Sequence, residues 1–334
     1  MLITTVMTFL SADSFSYQFV ARAASPYCIL GNVYFTEAWS IYMGTTSPVC
    51  ANWIGTEFKD FRGKTHVIDE HGNSITSAPL HGDHWRQRHD NLKFTIRHIA
   101  NWARCPHECE VLNMFVSVIR DIAQLRTDRT ERKVQAIVPD FYFHSTNTLA
   151  DVKTITVSKT RYPPIRFRRG ANHETVRVRQ GQVLSTYRAK ARRADRKYNA
   201  HTGTAPGPIE ARLTSYGRVR GLICGAFGEG SPDLHELCND IAAQAASNRY
   251  DDMGADTAED AHAIAKRFVY KRMGISMMKG MAALRFHRLN QAVADSDTAR
   301  AAAARRRWAQ SAWIDDNAAY YDRHSYGGRT HPRW

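Results

Sequence analysis

Val138-Pro139-Asp140-Phe141-Tyr142-Phe143 and Leu149-Ala150-Asp151-Val152-Lys153-Thr154 are two β-rich runs separated by His144-Ser145-Thr146-Asn147-Thr148. The spacer has the polar, Asn-containing composition of a tight turn, so the segment reads as an antiparallel hairpin. Side chains alternate across a strand, which puts Asp151 and Lys153 on one face. Folding about Thr146-Asn147 sets Asp140 opposite Lys153, within diagonal reach of Asp151. The other face reads as Ile137, Phe141, Phe143, Ala150 and Val152, an apolar set suited to a core. One face then gathers two carboxylates and an amine on a rigid support.

That grouping suits a hard divalent cation. Mg²⁺ takes oxygen ligands and keeps several waters, so two carboxylates can hold it. A metal so placed stabilises charge on a phosphodiester and acidifies a bound water. A neighbouring lysine can orient that water or neutralise the developing charge. The pattern Pro139-Asp140, a variable hairpin, then Asp151-Val152-Lys153 resembles the signature of the PD-(D/E)xK nuclease superfamily. The resemblance implies Mg²⁺ (or Mn²⁺) held by Asp140, Asp151 and the Val152 carbonyl, with Lys153 catalytic. It also implies the restriction-endonuclease-like α-β-β-β-α-β core, a mixed sheet flanked by helices.

The flanking sequence supplies elements in that order. Residues 85–104 read as an amphipathic helix, with Leu92, Ile96, Ile99 and Ala103 at helical spacing. Residues 108–115 are a candidate first strand, and Glu108 and Glu110, two apart, would share a face. Glu110, just before Val111-Leu112, is the favoured third acid of the site. Residues 178–198 read as a basic helix and 219–227 as a buried strand. Ser231-Pro232-Asp233 then opens another helix with Ser as N-cap and Pro at the first position.

A second likeness extends the first. Gly82-Asp83-His84-Trp85 and Arg88-His89-Asp90-Asn91-Leu92 resemble the segment preceding nuclease-like domains at the ends of retrotransposon reverse transcriptases. Tyr187-Arg188-Ala189-Lys190, Lys197-Tyr198, Gly207-Pro208-Ile209-Glu210-Ala211 and the run from Arg220 to Glu229 resemble proteins of mobile-element-rich genomes. Together these likenesses cover about half of the chain. Where the transposon segment carries a Cys/His zinc cluster, this chain lacks paired cysteines, which implies a degenerate or domesticated copy.

The 334 residues carry 46 Lys and Arg against 32 Asp and Glu, a formal charge of +14 that favours polyanionic partners. The excess is concentrated at 159–197, where Arg168, Arg169, Arg188, Lys190, Arg192, Arg193, Arg196 and Lys197 are opposed only by Glu174 and Asp195. Beside a carboxylate site, these cations would hold a phosphate backbone. Tyr162, Phe167, Tyr187 and Tyr198 are interleaved, as bases of a single strand would need for stacking. The chain shows no base-reading motif, so nucleic acid, expected to be DNA, would be bound through its backbone.

The six cysteines contain no Cys-x-x-Cys pair and need no disulfides, which suits a reducing compartment. Cys105-Pro106-His107-Glu108-Cys109, with His98, His81 and His84, fits no standard zinc spacing, and scattered His and Cys is the preferred reading. The chain divides as an N-terminal extension (1–80), the nuclease-like domain (81–250), a helical C-terminal extension (251–320) containing Arg305-Arg306-Arg307, and a disordered tail (321–334). No segment reads as a spanning helix, and a nuclear or cytoplasmic site is expected. Two functions follow: a metal-dependent endonuclease derived from a mobile element, or a nucleic-acid-binding protein that keeps the fold without turnover.

Overall fold

The computed structural model describes residues 13–18, 30–110, 114–127, 137–157, 161–162 and 171–294. In chain order its helices are α1 (Asn32–Met43), α2 (Asn73–Ser77), α3 (His84–Trp102), α4 (Ile122–Thr127), α5 (Ala171–Tyr198), α6 (Pro208–Thr214), α7 (Pro232–Arg249) and α8 (Ala258–Ala292). The strands are β1 (Glu57–Lys59), β2 (Thr65–Val67), β3 (His107–Cys109), β4 (Phe141–Phe143), β5 (Thr148–Thr154) and β6 (Arg220–Cys224). β1 and β2 form a small antiparallel ribbon. The main sheet is four-stranded and mixed, in the order β3-β4-β5-β6, with only β5–β6 parallel. The architecture is mixed α/β.

The sheet is covered on both sides, and β5 shows it. Thr148 to Val152 are all buried, without the half-solvated alternation of a surface hairpin. On one side Phe141, Phe143, Ala150, Val152, Leu222 and Cys224 pack with Leu92, Ile96 and Ile99 of α3 and Leu234, Leu237 and Ile241 of α7. Phe141 and Phe143 are stacked 5.7 Å apart and are at most 1% exposed. Burial of each stabilises the fold by roughly 1.5–3 kcal/mol. On the other side Leu149 and Ile223 pack with Val183, Tyr187 and Ala191 of α5. Ile137 belongs to this second layer, not to the Phe141 face expected for it. It lies four residues before β4, where the chain has left the pleat and strand alternation no longer applies.

Two expected strands are shorter than their apolar content suggests. The first covers only His107–Cys109, because Glu110 adopts φ 51° and turns the chain away. The stretch 219–227 is extended only to Cys224. Gly225 N–H then bonds Glu229 O (2.8 Å) across a turn that uses Gly228 at φ 83°. The start of α7 is as read: Ser231 Oγ accepts Leu234 N–H and Pro232 takes the first turn.

α8 packs against α1, α2, α3 and α7. Residues 49–80 add a small core of Trp53, Phe58, Ile68 and Ile75, closed by Leu289 of α8. Far earlier in the chain, Phe15 is fully buried against His235 and Tyr270, with ring centroids 4.4 and 4.7 Å away. Its socket requires glycine. A Cβ on Gly230 would lie 2.6 Å from the Phe15 ring, and one on Gly274 2.3 Å from the Phe15 carbonyl. Among the described residues, no helix is long and apolar enough to cross a membrane. Arg305-Arg306-Arg307 and the tail lie outside the described residues.

Candidate active site

The hairpin pairs Phe141 with Ala150, Tyr142 with Leu149 and Phe143 with Thr148. Its turn is therefore centred on Ser145-Thr146, not on Thr146-Asn147. Asn147 closes the turn at φ 48°, a conformation Asn tolerates, and its Oδ1 accepts the Tyr142 hydroxyl at 2.9 Å. The consequence is a two-residue shift in register that brings Asp140 level with Asp151 instead of Lys153.

Asp140 precedes β4 and is tied across to β5. Its Oδ2 accepts the Val152 N–H at 2.7 Å, and its Oδ1 lies 2.9 Å from Lys93 Nζ. His89 Nε2 stands 3.5 Å from Asp140 Oδ2 and 3.1 Å from the Val152 carbonyl oxygen. Lys153 Nζ donates to the same carbonyl (3.1 Å) and forms an ion pair with Asp151 Oδ2. Asp151 Oδ1 accepts the Tyr187 hydroxyl at 2.9 Å. His89 thus links Asp140 to the Val152 carbonyl and Lys153 links that carbonyl to Asp151, so the carbonyl stands between the two carboxylates.

The electrostatics follow from those contacts. Burial alone would raise the Asp140 pKa, but contacts from His89, Lys93 and the Val152 N–H prevail and lower it to about 2. Asp140 pulls the His89 pKa up in return, against the effect of burial. Lys93 is also raised, because Glu110 and Asp140 outweigh its desolvation. Burial and the Asp151 charge push the Tyr187 hydroxyl well above its ordinary range, so it donates and stays protonated.

No known protein family, curated protein or solved structure matches this chain. The site is therefore judged on its own chemistry.

Its donor set is two carboxylates, one held firmly ionised, and a main-chain carbonyl. That is the hard-oxygen set Mg²⁺ or Mn²⁺ takes. Among the described residues, no three His, Cys, Asp or Glu side chains are disposed to hold an ion together, so the carbonyl is needed as the third donor. The residues fit such a cation provided His89, Lys93 and Lys153 give up contacts with the oxygens it would use.

Glu110 is not aligned with Glu108. Its left-handed backbone sends its carboxylate to Lys93 (2.7 Å), while Glu108 pairs with His144 (3.0 Å) at the surface. On α5, Val183, Tyr187, Ala191, Ala194 and Tyr198 face inward, which leaves Arg188, Arg193, Arg196 and Lys197 on the exposed side. Lys190 lies over the Tyr187 ring at 5.4 Å and Lys197 over Tyr198 at 5.1 Å. Arg192 is already committed, its Nε donating to Glu210 Oε2 at 2.8 Å. Tyr162, Tyr187 and Tyr198 are at most 4% exposed and are closed to base stacking. Arg168, Arg169 and Phe167 lie outside the described residues.

His89, Lys93 and Tyr187 are the site residues the hairpin motif does not contain. His89 and Lys93, four apart on α3, reach Asp140 from a single turn of helix. The Cys105–Cys109 segment makes other contacts: Cys105 Sγ is 3.7 Å from Ser145 Oγ, and His107 Nδ1 bonds the Cys105 carbonyl.

Proposed function

We propose that the protein is a metal-dependent phosphodiester hydrolase acting on nucleic acid, with DNA as the expected substrate. The observation that carries this reading is the convergence of Asp140, Asp151 and the Val152 carbonyl at the open end of the hairpin, with the Lys153 ammonium against Asp151. With the short α4 and α6 set aside as insertions, the order of helix, three strands, helix and strand from α3 to β6 supports a restriction-endonuclease-like topology. A divalent cation bound by those three groups would supply charge neutralisation at the phosphate and an acidified water.

The chain's own residues perform the remaining work. Lys153 Nζ is 36% exposed on its side chain and stands beside both Asp151 and the Val152 carbonyl, so it can turn to a phosphate oxygen or orient water. Tyr187 holds Asp151 in place and binds the Val138 carbonyl (3.1 Å), which joins α5 to the segment leading into β4. Arg188, Arg193, Arg196 and Lys197 lie one to ten residues further along the same helix, a span of about 15 Å at 1.5 Å per residue. They are placed to hold phosphates flanking the one being cut.

The test is cleavage of supercoiled and single-stranded DNA by the purified protein in Mg²⁺ or Mn²⁺, beside Asp151→Ala. Metal-dependent cutting that disappears in the variant supports the reading; equal cutting by both proteins overturns the site. A second reading, a nucleic-acid-binding protein without turnover, is favoured by one observation. Asp140 already has Lys93 as a counter-ion and His89 as a close nitrogen neighbour, and is neutralised from within. Salt-sensitive DNA binding with no cleavage by wild type in either metal would select it.

A further inference from the structure

Lys93 has two carboxylate partners that differ in kind. Asp140 Oδ1, at 2.9 Å, belongs to a side chain that is 13% exposed and is one of the oxygens the metal reading assigns to the cation. Glu110 Oε1, at 2.7 Å, belongs to a side chain that is 66% exposed. Lys93 itself is 15% exposed and projects from α3, whose apolar residues Leu92 and Ile96 are locked in the core. The helix therefore keeps the ammonium between the two acids.

Glu110 is also positioned by an unusual backbone. It stands at φ 51°, and its N–H bonds the Asp140 carbonyl at 3.0 Å. Its main chain is thus tied to the residue whose side chain competes for the same lysine. A cation arriving at Asp140 would face the Lys93 charge at close range. Repulsion favours movement of that charge towards the remaining partner, and a short swing of a flexible lysine is enough.

We propose that Lys93 is a resident counter-ion which a divalent cation must displace from Asp140, and that Glu110 is the carboxylate that retains it. This inference rests on the metal reading of Asp140. It assigns Glu110 to the lysine, not to the metal, and makes metal affinity depend on a residue that never touches the ion.

The experiment titrates Mn²⁺ into the full chain, with free Mn²⁺ followed by electron paramagnetic resonance. The proteins compared are wild type, Asp140→Asn, Lys93→Met, Lys93→Arg, Glu110→Gln and the double variant Lys93→Met/Glu110→Gln. Met retains the apolar stem of the lysine, and thermal melting verifies that each variant is folded. Lys93→Met should bind Mn²⁺ about tenfold more tightly than wild type, and Glu110→Gln about threefold more weakly. Lys93→Arg, which keeps the charge, should stay near wild type.

The double variant separates the two roles of Glu110. If the carboxylate acts through Lys93, its removal has no effect once Lys93 is gone. If Glu110 is itself a ligand, the double variant binds more weakly than Lys93→Met, and the proposal fails. Binding that depends on Asp140 but is unchanged or weakened in Lys93→Met also overturns it, and leaves the metal site standing. Wild type that shows no Mn²⁺ binding sensitive to Asp140→Asn removes the metal reading and this inference together.

Discussion

Asp140 and Glu229 are both largely withdrawn from water, and the groups around them differ in kind. Asp140 meets the nitrogens of Lys93 and His89 and is held near pKa 2. Glu229 is fully buried and accepts from neutral donors, the Tyr162 hydroxyl at 2.5 Å and the Phe227 N–H at 2.9 Å. Desolvation pushes it up to about 7. Arg88 is buried nearby, but it spends its donors on the Ile155 and Gly225 carbonyls (3.0 and 2.9 Å) just beyond β5 and β6. Full charge is thus preserved at the hairpin's open end, where part of it faces solvent. Just beyond the C-terminal ends of the parallel strands, the Glu229 charge is suppressed and Arg88 acts as a strut. Chemistry on an anionic substrate with a dication needs the first environment; fixing strand ends needs only the second.

The comparison is most severely tested at Arg88. Arg88→Met leaves two strand-end carbonyls without their donor inside the core and should cost about 3–5 kcal/mol of stability, measured by urea unfolding. A loss below about 1 kcal/mol would mean the strut is dispensable. Next comes Asp140→Asn, which keeps shape and removes charge. Cleavage should fall by about 10³-fold, as when a principal charge-stabilising group is lost, with far-ultraviolet circular dichroism unchanged.

The same variant changes the acid limb of stability. A carboxylate whose pKa is lowered from 3.8 to about 2 contributes stability that is present above pH 3.8 and lost as pH falls towards 2. That contribution is roughly 2 kcal/mol at neutral pH, and Asp140→Asn should lack it.

Glu229 has the opposite sign. Its folded pKa is raised from 4.5 to about 7, so the folded state binds the proton more tightly and stability declines as pH rises through that interval. Glu229→Gln cannot ionise, so its urea midpoint relative to wild type should rise between pH 4.5 and 7. A constant difference would place Glu229 among ordinary solvated acids. The smallest structural effect is expected at the exposed helix face. Arg193→Ala with Arg196→Ala should alter stability by less than about 0.5 kcal/mol, yet lower the slope of log affinity against log salt by about 2.

How much of this was legible in the chain varies by residue. Asp140, Asp151 and Lys153 lie on one short hairpin, so strand alternation and turn composition suffice to gather them. The register missed by two, because Asn147 ends the turn in a left-handed conformation instead of occupying its middle. His89 and Lys93 come from a helix about 50 residues earlier, and local periodicity cannot measure that approach. A signal existed: four apart, they flank the apolar row of Leu92, Ile96 and Ile99. Tyr187 looked like a stacking residue because bases surround it. The i, i+4, i+8 row of Val183, Tyr187 and Ala191 marks it as inward-facing, which is where it meets Asp151.

The socket of Phe15 has a consequence for how the chain is made. Its walls come from Gly230, His235, Tyr270 and Gly274, more than 200 positions later in the sequence. A ribosome working at roughly 5–20 residues per second takes tens of seconds to deliver them. Throughout that interval the phenyl ring is unclaimed apolar surface on a nascent chain, and so are the faces of α1 and α3 that await α8. Closure of the molecule is then a late event of high contact order, slow to reach and exposed to aggregation on the way. Such a polypeptide has reason to depend on holding chaperones during translation, more than its finished stability would suggest.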